Sequence, residues 1–358
     1  MRGSTKVPMN PKIFSIALLS TALLTLASQA ISIDVVPVGD AGNPNDSTGY
    51  GGVSYGYAIG KYEVTLQQYT GFLNAVGAYD TRSLYHPNMA LSTKGAIIRS
   101  GAEGSYSYAV IGDGNLPVTY VSWWDAARFT NWLQNGQPTG LQTIGITETG
   151  AYYLASGSSG TDFVAKDPAA QFWIPSENEW YKAAYYQPAA GGGDADGYWL
   201  YPTQSNTKPN SRNGSTLDPN SANMISNDGL DNGFNGGFAV TNSPIPDDSQ
   251  DYRTPVGAFT QADSYYGTFD QGGNVWEWND AYMGLWGRGR RGGTWGSWEG
   301  DGLMATDRPY AFYSSEFDGL GFRVATVPEP TAGASAMVGA AWMLSRRRRQ
   351  PRTMRTAL

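Results

Sequence analysis

The stretch FDQGGNVWEWND, Phe269 to Asp280, sets one acid, Glu277, between Trp276 and Trp278, with a second acid, Asp270, and two glycines just upstream. On a strand, alternation sends both indoles to one face and Glu277 to the other, so the carboxylate has little freedom. A carboxylate fixed in this way suits a ligand-holding group better than a loose surface charge. The same residues admit a plainer reading, in which the indoles are core and Glu277 is a salt-bridge partner of Arg291 or Arg323.

What the chain lacks narrows the chemistry further. It has no cysteine and one histidine, His86. Disulfides, thiolate metal sites and cysteine nucleophiles are therefore excluded, as are multi-histidine metal centres. Acid–base catalysis is left with few players. His86, in SLYHPNMA, reads as an ordinary loop residue.

Both ends read as sorting signals around a folded body. Residues 1–30 carry Arg2, Lys6 and Lys12, then IFSIALLSTALLTLA, then SQA ending at Ala30. That order is a secretory signal peptide, and its apolar run is short for a retained membrane anchor. At the other end, residues 327–358 hold VPEP, the apolar TAGASAMVGAAWMLS and an arginine cluster, Arg346 to Arg349. An apolar run followed by arginines is a stop-transfer pattern under the positive-inside rule. The order resembles a PEP-CTERM sorting tail of exported bacterial proteins. The resemblance implies an exosortase-like envelope partner and a place in the cell envelope, on the cell surface or outside the cell. Cleavage and retention of the tail both stay open.

Trimming the ends changes the charge. Of 24 basic residues, three lie in residues 1–30 and six in 331–358, where there is no acid, so residues 31–330 carry 15 basic against 31 acidic residues, a formal −16. Such a body repels nucleic acid. About 300 residues suffice for one large domain with a real core, taken as residues 31–326.

Three segments have helical signals. EVTLQQYTGFLNAV has Thr65 as N-cap with Gln68 three residues on. VSWWDAARFTNWLQN starts at Ser122 with Asp125 in its first turn, and IPSENEWYKAAYY repeats the device with Ser176 and Glu179. Each is a capping box, followed by apolar residues on one helical face. Residues 136–170 and 189–262 are rich in Gly, Ser, Asn, Asp and Pro and read as long loops. Short strands are expected at GNVWEW, RGGTW and GFRVA.

Taken in order, GKYEVT, LPVTYVSWWDAARFTNWL, FWIPSENEWYKAAY, TPVGAF, YYGTFDQGGNVWEW, RRGGTW and GLGFRVA closely resemble the formylglycine-generating enzyme (sulfatase-modifying factor) family over about residues 50 to 326. The resemblance implies a compact C-type-lectin-like α+β fold, loop-rich, with few helices and short antiparallel strands. Carried over residue by residue, it implies structural calcium. One site falls on the side chains of Asp270 and Glu277 with the carbonyls of Gly273 and Val275, while Asn274 braces the turn. A second falls on Asn223, the Met224 carbonyl, Asp248 and the Gln250 carbonyl, and Glu63 is a further candidate ligand. The family's oxidase chemistry uses two cysteines that bind copper shortly after its RGGSW motif. Here Ser297 and Gly302 stand near those positions, and neither supplies the soft sulfur that Cu(I) prefers. No copper cofactor is expected.

Three readings follow. The first is an exported, calcium-stabilised, lectin-like module that binds a glycan or peptide through Trp298, Arg308, Tyr310 and Tyr313, with Trp295 more plausibly core. The second is an enzyme of another reaction using Asp301 and Asp307 beside Arg308. The third is a structural component of the extracellular matrix. The first is preferred.

Overall fold

Three helices form where local signals start them. In the computed structural model, which describes residues 30–92, 94–154, 163–212, 218–230 and 232–328, α1 runs Leu66–Val76, α2 Trp123–Gln134 and α3 Glu177–Tyr185. The leader up to residue 29 and the tail beyond residue 328 lie outside the described residues. All three helices carry the expected capping box. Thr65, Ser122 and Ser176 each accept from the backbone N–H three residues on, and Gln68, Asp125 and Glu179 accept from the cap N–H in return. Each box satisfies two of the donors that a helix start leaves open.

The apolar faces of α1 and α2 meet in an aromatic core. Phe72 lies 5.4 Å edge-on from Phe129 and 5.2 Å from Trp132, and Phe129 lies 5.3 Å edge-on from Phe322. Beneath this core run two four-stranded sheets. The first has the order Val35–Val38, Tyr57–Gly60, Ala325–Thr326, Phe172–Trp173, all antiparallel. The second has the order Tyr310–Ala311, Arg288–Arg291, Trp276–Tyr282, Leu320–Phe322, and its last pairing is parallel. Glu277 stands opposite Arg291 on one side and Gly321 on the other.

The strand expected at RGGTW ends earlier than its sequence suggests. Arg288–Arg291 is the strand, and Gly292 and Gly293, at φ +98° and +76°, turn the chain out of the sheet. Positive φ is open to glycine without Cβ penalty, so the pair works as a hinge.

Asp125 also meets a second carboxyl group. Burial pushes Glu316 up to about 8, with the neighbouring Asp125 raising it further, and burial pushes Asp125 up to about 6 against its bonds to Ser122. Because Glu316 binds its proton more tightly folded than unfolded, this contribution is full below pH 4.5 and is lost as pH rises through about 8. The melting temperature is expected to fall by roughly a few degrees over that window. In Glu316→Gln the fall should be clearly smaller; an unchanged pH profile would remove Glu316 as its cause.

Candidate functional site

Glu277 is fully buried, and its oxygens are engaged by one cation and one indole. Arg323 donates from Nε to Oε2 at 2.5 Å and from Nη2 to Oε1 at 2.5 Å, and Trp180 Nε1 donates to Oε2 at 2.7 Å. The same guanidinium donates to the carbonyls of Gly60 (2.8 Å) and Phe269 (2.9 Å). Arg291, the direct cross-strand neighbour, turns instead to Glu177 at 2.8 Å. Of the two arginines open as partners, the structure joins Glu277 to Arg323.

Two further acids crowd the pair. Asp270 Oδ2 accepts from Gly257 N–H at 2.6 Å, and Glu63 Oε1 accepts from Asn274 Nδ2 at 3.1 Å, while Glu63 Oε2 is buried with no hydrogen-bond partner. Burial, and then the charges of Asp270 and Glu277, push the pKa of the Glu63 carboxyl well above the usual carboxylate range. Burial raises Asp270 to about 6, with the Gly257 N–H and Arg323 restraining the shift. Desolvation and like-charge repulsion thus set the protonation of the cluster, with one arginine as its counter-ion.

The turn before this strand is built as the resemblance implies. Gly273 has φ +86°, and a Cβ there would lie 2.3 Å from the Asn223 carbonyl oxygen. Asn274 braces the turn: its Oδ1 accepts from Thr254 N–H (3.0 Å) and its Nδ2 donates to Thr254 O (3.3 Å) as well as to Glu63. Val275 is buried at the start of the strand.

The carboxylate that the resemblance assigns to calcium has its oxygens engaged by Arg323 and Trp180. Glu277 is held by Arg323, and among the described residues no group of three or more Asp, Glu or His side chains is arranged to hold a metal. Asn223 Nδ2 donates to the Tyr252 carbonyl at 2.8 Å, and the Met224 carbonyl accepts from Ala239 N–H at 3.1 Å, both inside the fold. Asp248 and Gln250 instead line a surface cleft. The sequence left Arg291 and Arg323 equally open as partners; only the fold brings Arg323, 46 residues away, onto the carboxylate.

Ser297 and Gly302, expected near the family's cysteine positions, serve the chain's own turns. Ser297 is buried, and its Oγ accepts from Thr294 N–H at 3.0 Å. Gly302 has φ +84°; its N–H donates to Asp307 Oδ2 at 2.8 Å, and a Cβ there would lie 2.2 Å from the Trp276 ring. A side chain at 302 would displace that indole.

The four residues expected on a ligand surface are not brought together as one groove. Trp298 and Tyr310 are half exposed, but Tyr313 is a correction: it is buried, stacked at 5.8 Å on Trp124, with its hydroxyl donating to Gly284 O at 2.6 Å. Its neighbour Phe312 takes the outward place, since adjacent residues on extended chain face opposite ways. Arg308 is held in a two-point bond to Glu177, with 2.8 Å from Nε to Oε1 and from Nη2 to Oε2, and lies 4.9 Å over Tyr50. Trp295 is partly buried, stacked at 5.1 Å on Tyr252. His86 caps a short turn, accepting from Asn88 N–H at 3.1 Å, and stacks on Tyr120 at 5.2 Å.

A cleft of about 360 Å³ opens beside Trp295. Phe238, Tyr252 and Trp295 form its aromatic floor, with neighbouring ring centroids 4.2 and 5.1 Å apart, and Asp247, Asp248 and Asp318 stand at its rim. Tyr120, at φ +59°, belongs to its wall. Sequence reasoning reached Asp248, Gln250 and Trp295 but not the cleft, because its walls come from seven separate stretches between Leu66 and Asp318.

A family model for the sulfatase-modifying factor enzyme 1-like domain matches residues 51–327. The chain belongs to that family. Its fold is the family's loop-rich, C-type-lectin-like α+β architecture, with three helices and short, mostly antiparallel strands. Among solved structures it is similar to a crystal structure of CarF at 21% identity, covering 83% of this chain and 99% of that one, with a TM-score of 0.48. Treponema denticola variable protein 1 is similar at 19% identity, covering 84% and 98%, TM-score 0.48. PvdO from Pseudomonas aeruginosa is similar at 17% identity, covering 83% and 92%, TM-score 0.40. No match was found among curated proteins.

Proposed function

We propose that this family member is an exported binding module that keeps the scaffold without copper oxidase chemistry. The observation that carries this reading is the cleft, with an aromatic floor, an acidic rim and a volume within the range of small-ligand sites. Ring faces and rim carboxylates suit a polyhydroxylated sugar or a peptide segment, by stacking and by accepting hydroxyl or amide donors. The basic, apolar ends around a −16 body favour export and envelope sorting through an exosortase-like partner. Calcium has no part in this reading at Glu277, whose oxygens are engaged by Arg323.

An array of glycans and peptides against residues 31–326, with and without calcium, tests the reading. Saturable binding is expected that is weakened at least several-fold by Asp248→Asn with Asp318→Asn and unchanged by Trp298→Ala, which lies outside the cleft. No saturable ligand would leave the structural-matrix reading in its place. The protein is also expected to show no copper-dependent oxidation of a Cys-x-Pro-x-Arg peptide, since it has no thiolate to bind the metal. Turnover above a metal-free blank would overturn this.

A further inference from the structure

Five arginines are buried in this fold, and each has a carboxylate: Arg128 with Glu148, Arg253 with Asp251, Arg288 with Asp280, Arg291 with Glu177 and Arg323 with Glu277. Arg290, between two of them in sequence, departs from this pattern. No carboxylate pairs with it among the described residues, and its Nε is buried with no hydrogen-bond partner. Its guanidinium carbon lies 4.5 Å from the Trp276 ring centroid and 5.4 Å from that of Phe317. Burial lowers its pKa, and no acid acts to restore it.

Arg290 is only partly buried, but a guanidinium with its Nε shut from water and no counter-ion is costly to keep, and the usual remedy in a protein is a carboxylate. Aromatic faces fix the plane of the guanidinium, which leaves its forked donors preorganised for a planar two-oxygen anion. The position matters too. The far edge of the Trp276 ring is the atom that a side chain at Gly302 would strike, so one indole spans from Arg290 to the Gly302 turn. We propose that Arg290, held against Trp276 and Phe317, is the recognition point for a carboxylate group on this protein's ligand. The binding-module reading supplies the biological use of this site, but the site is testable without it.

The test is the melting temperature of the purified protein titrated with acetate, glucuronate or N-acetylglycine, against chloride at matched ionic strength. A carboxylate-specific, saturable rise is expected, because a ligand that binds only the native state stabilises it. The stronger of glucuronate and N-acetylglycine tells whether a sugar acid or a peptide terminus is the better source. Arg290→Gln should weaken the apparent affinity by about tenfold or more, and Arg290→Lys by less, since lysine keeps the charge and loses the fork. Arg290→Met should abolish the response while raising the ligand-free melting temperature, because a partly buried, unpaired charge is gone. A response to chloride equal to that of the carboxylates overturns the proposal. So does a full response in Arg290→Gln, or a lower ligand-free melting temperature in Arg290→Met, which would make the guanidinium structural. A negative array alongside a positive carboxylate titration would retire the cleft and leave this site standing.

Discussion

Arg323→Met is expected to destabilise the protein by about 3–5 kcal/mol, the usual cost of leaving one partner of a buried pair uncompensated. Both Arg323 and Glu277 are fully buried, and removing the arginine leaves Glu277 with only the Trp180 indole N–H at 2.7 Å. The variant also loses the donors to Gly60 and Phe269, which tie the two sheets' connecting segments together. Denaturant unfolding of wild type and variant measures the difference. The double replacement Arg323→Met with Glu277→Leu should recover much of the loss, since a well-packed apolar pair is often no worse than a buried ion pair. A loss below about 1 kcal/mol in the single variant is the range of an exposed pair and would contradict the burial argument. Chelator against millimolar-scale calcium is the parallel measurement. With Glu277 held by Arg323, the wild-type melting temperature should be the same in both, and a fall in chelator would bring back calcium at this cluster.

Glu177→Gln is expected to have the second-largest effect, about 3 kcal/mol, because Glu177 serves two arginines of unequal burial. Arg291 is 1% exposed and keeps only the carbonyls of Ala305 (3.2 Å) and Asp307 (2.6 Å) once the carboxylate is gone. Arg308 has a side chain 35% exposed and can turn into water. Arg308→Ala should therefore lose less than about 1 kcal/mol, as exposed pairs do. Glu177 also lies in the first turn of α3, where a negative charge adds about 0.3–1 kcal/mol against the helix dipole. Equal losses from Glu177→Gln and Arg308→Ala would show that Arg291 does not depend on the carboxylate.

What the sequence by itself determined was local or subtractive. Each capping box needs only four consecutive residues, so Thr65, Ser122 and Ser176 started their helices where expected. The absence of cysteine closed off thiolate chemistry without any coordinates. The order of the glycine- and tryptophan-rich stretches was enough for the family and, with it, the fold. Partnership across the chain was another matter. Arg291 stands directly opposite Glu277 in the sheet register, yet Arg323 takes the carboxylate, because the parallel pairing of Leu320–Phe322 with Trp276–Tyr282 delivers the next residue to the buried side. Alternation at Phe312 and Tyr313, the place of Asp248 and Gln250 in the cleft, and the lone guanidinium of Arg290 were likewise settled only on folding. A residue's type states what it can bond to, but in a loop-rich fold the tertiary topology decides which of several equally suitable partners is within 3 Å.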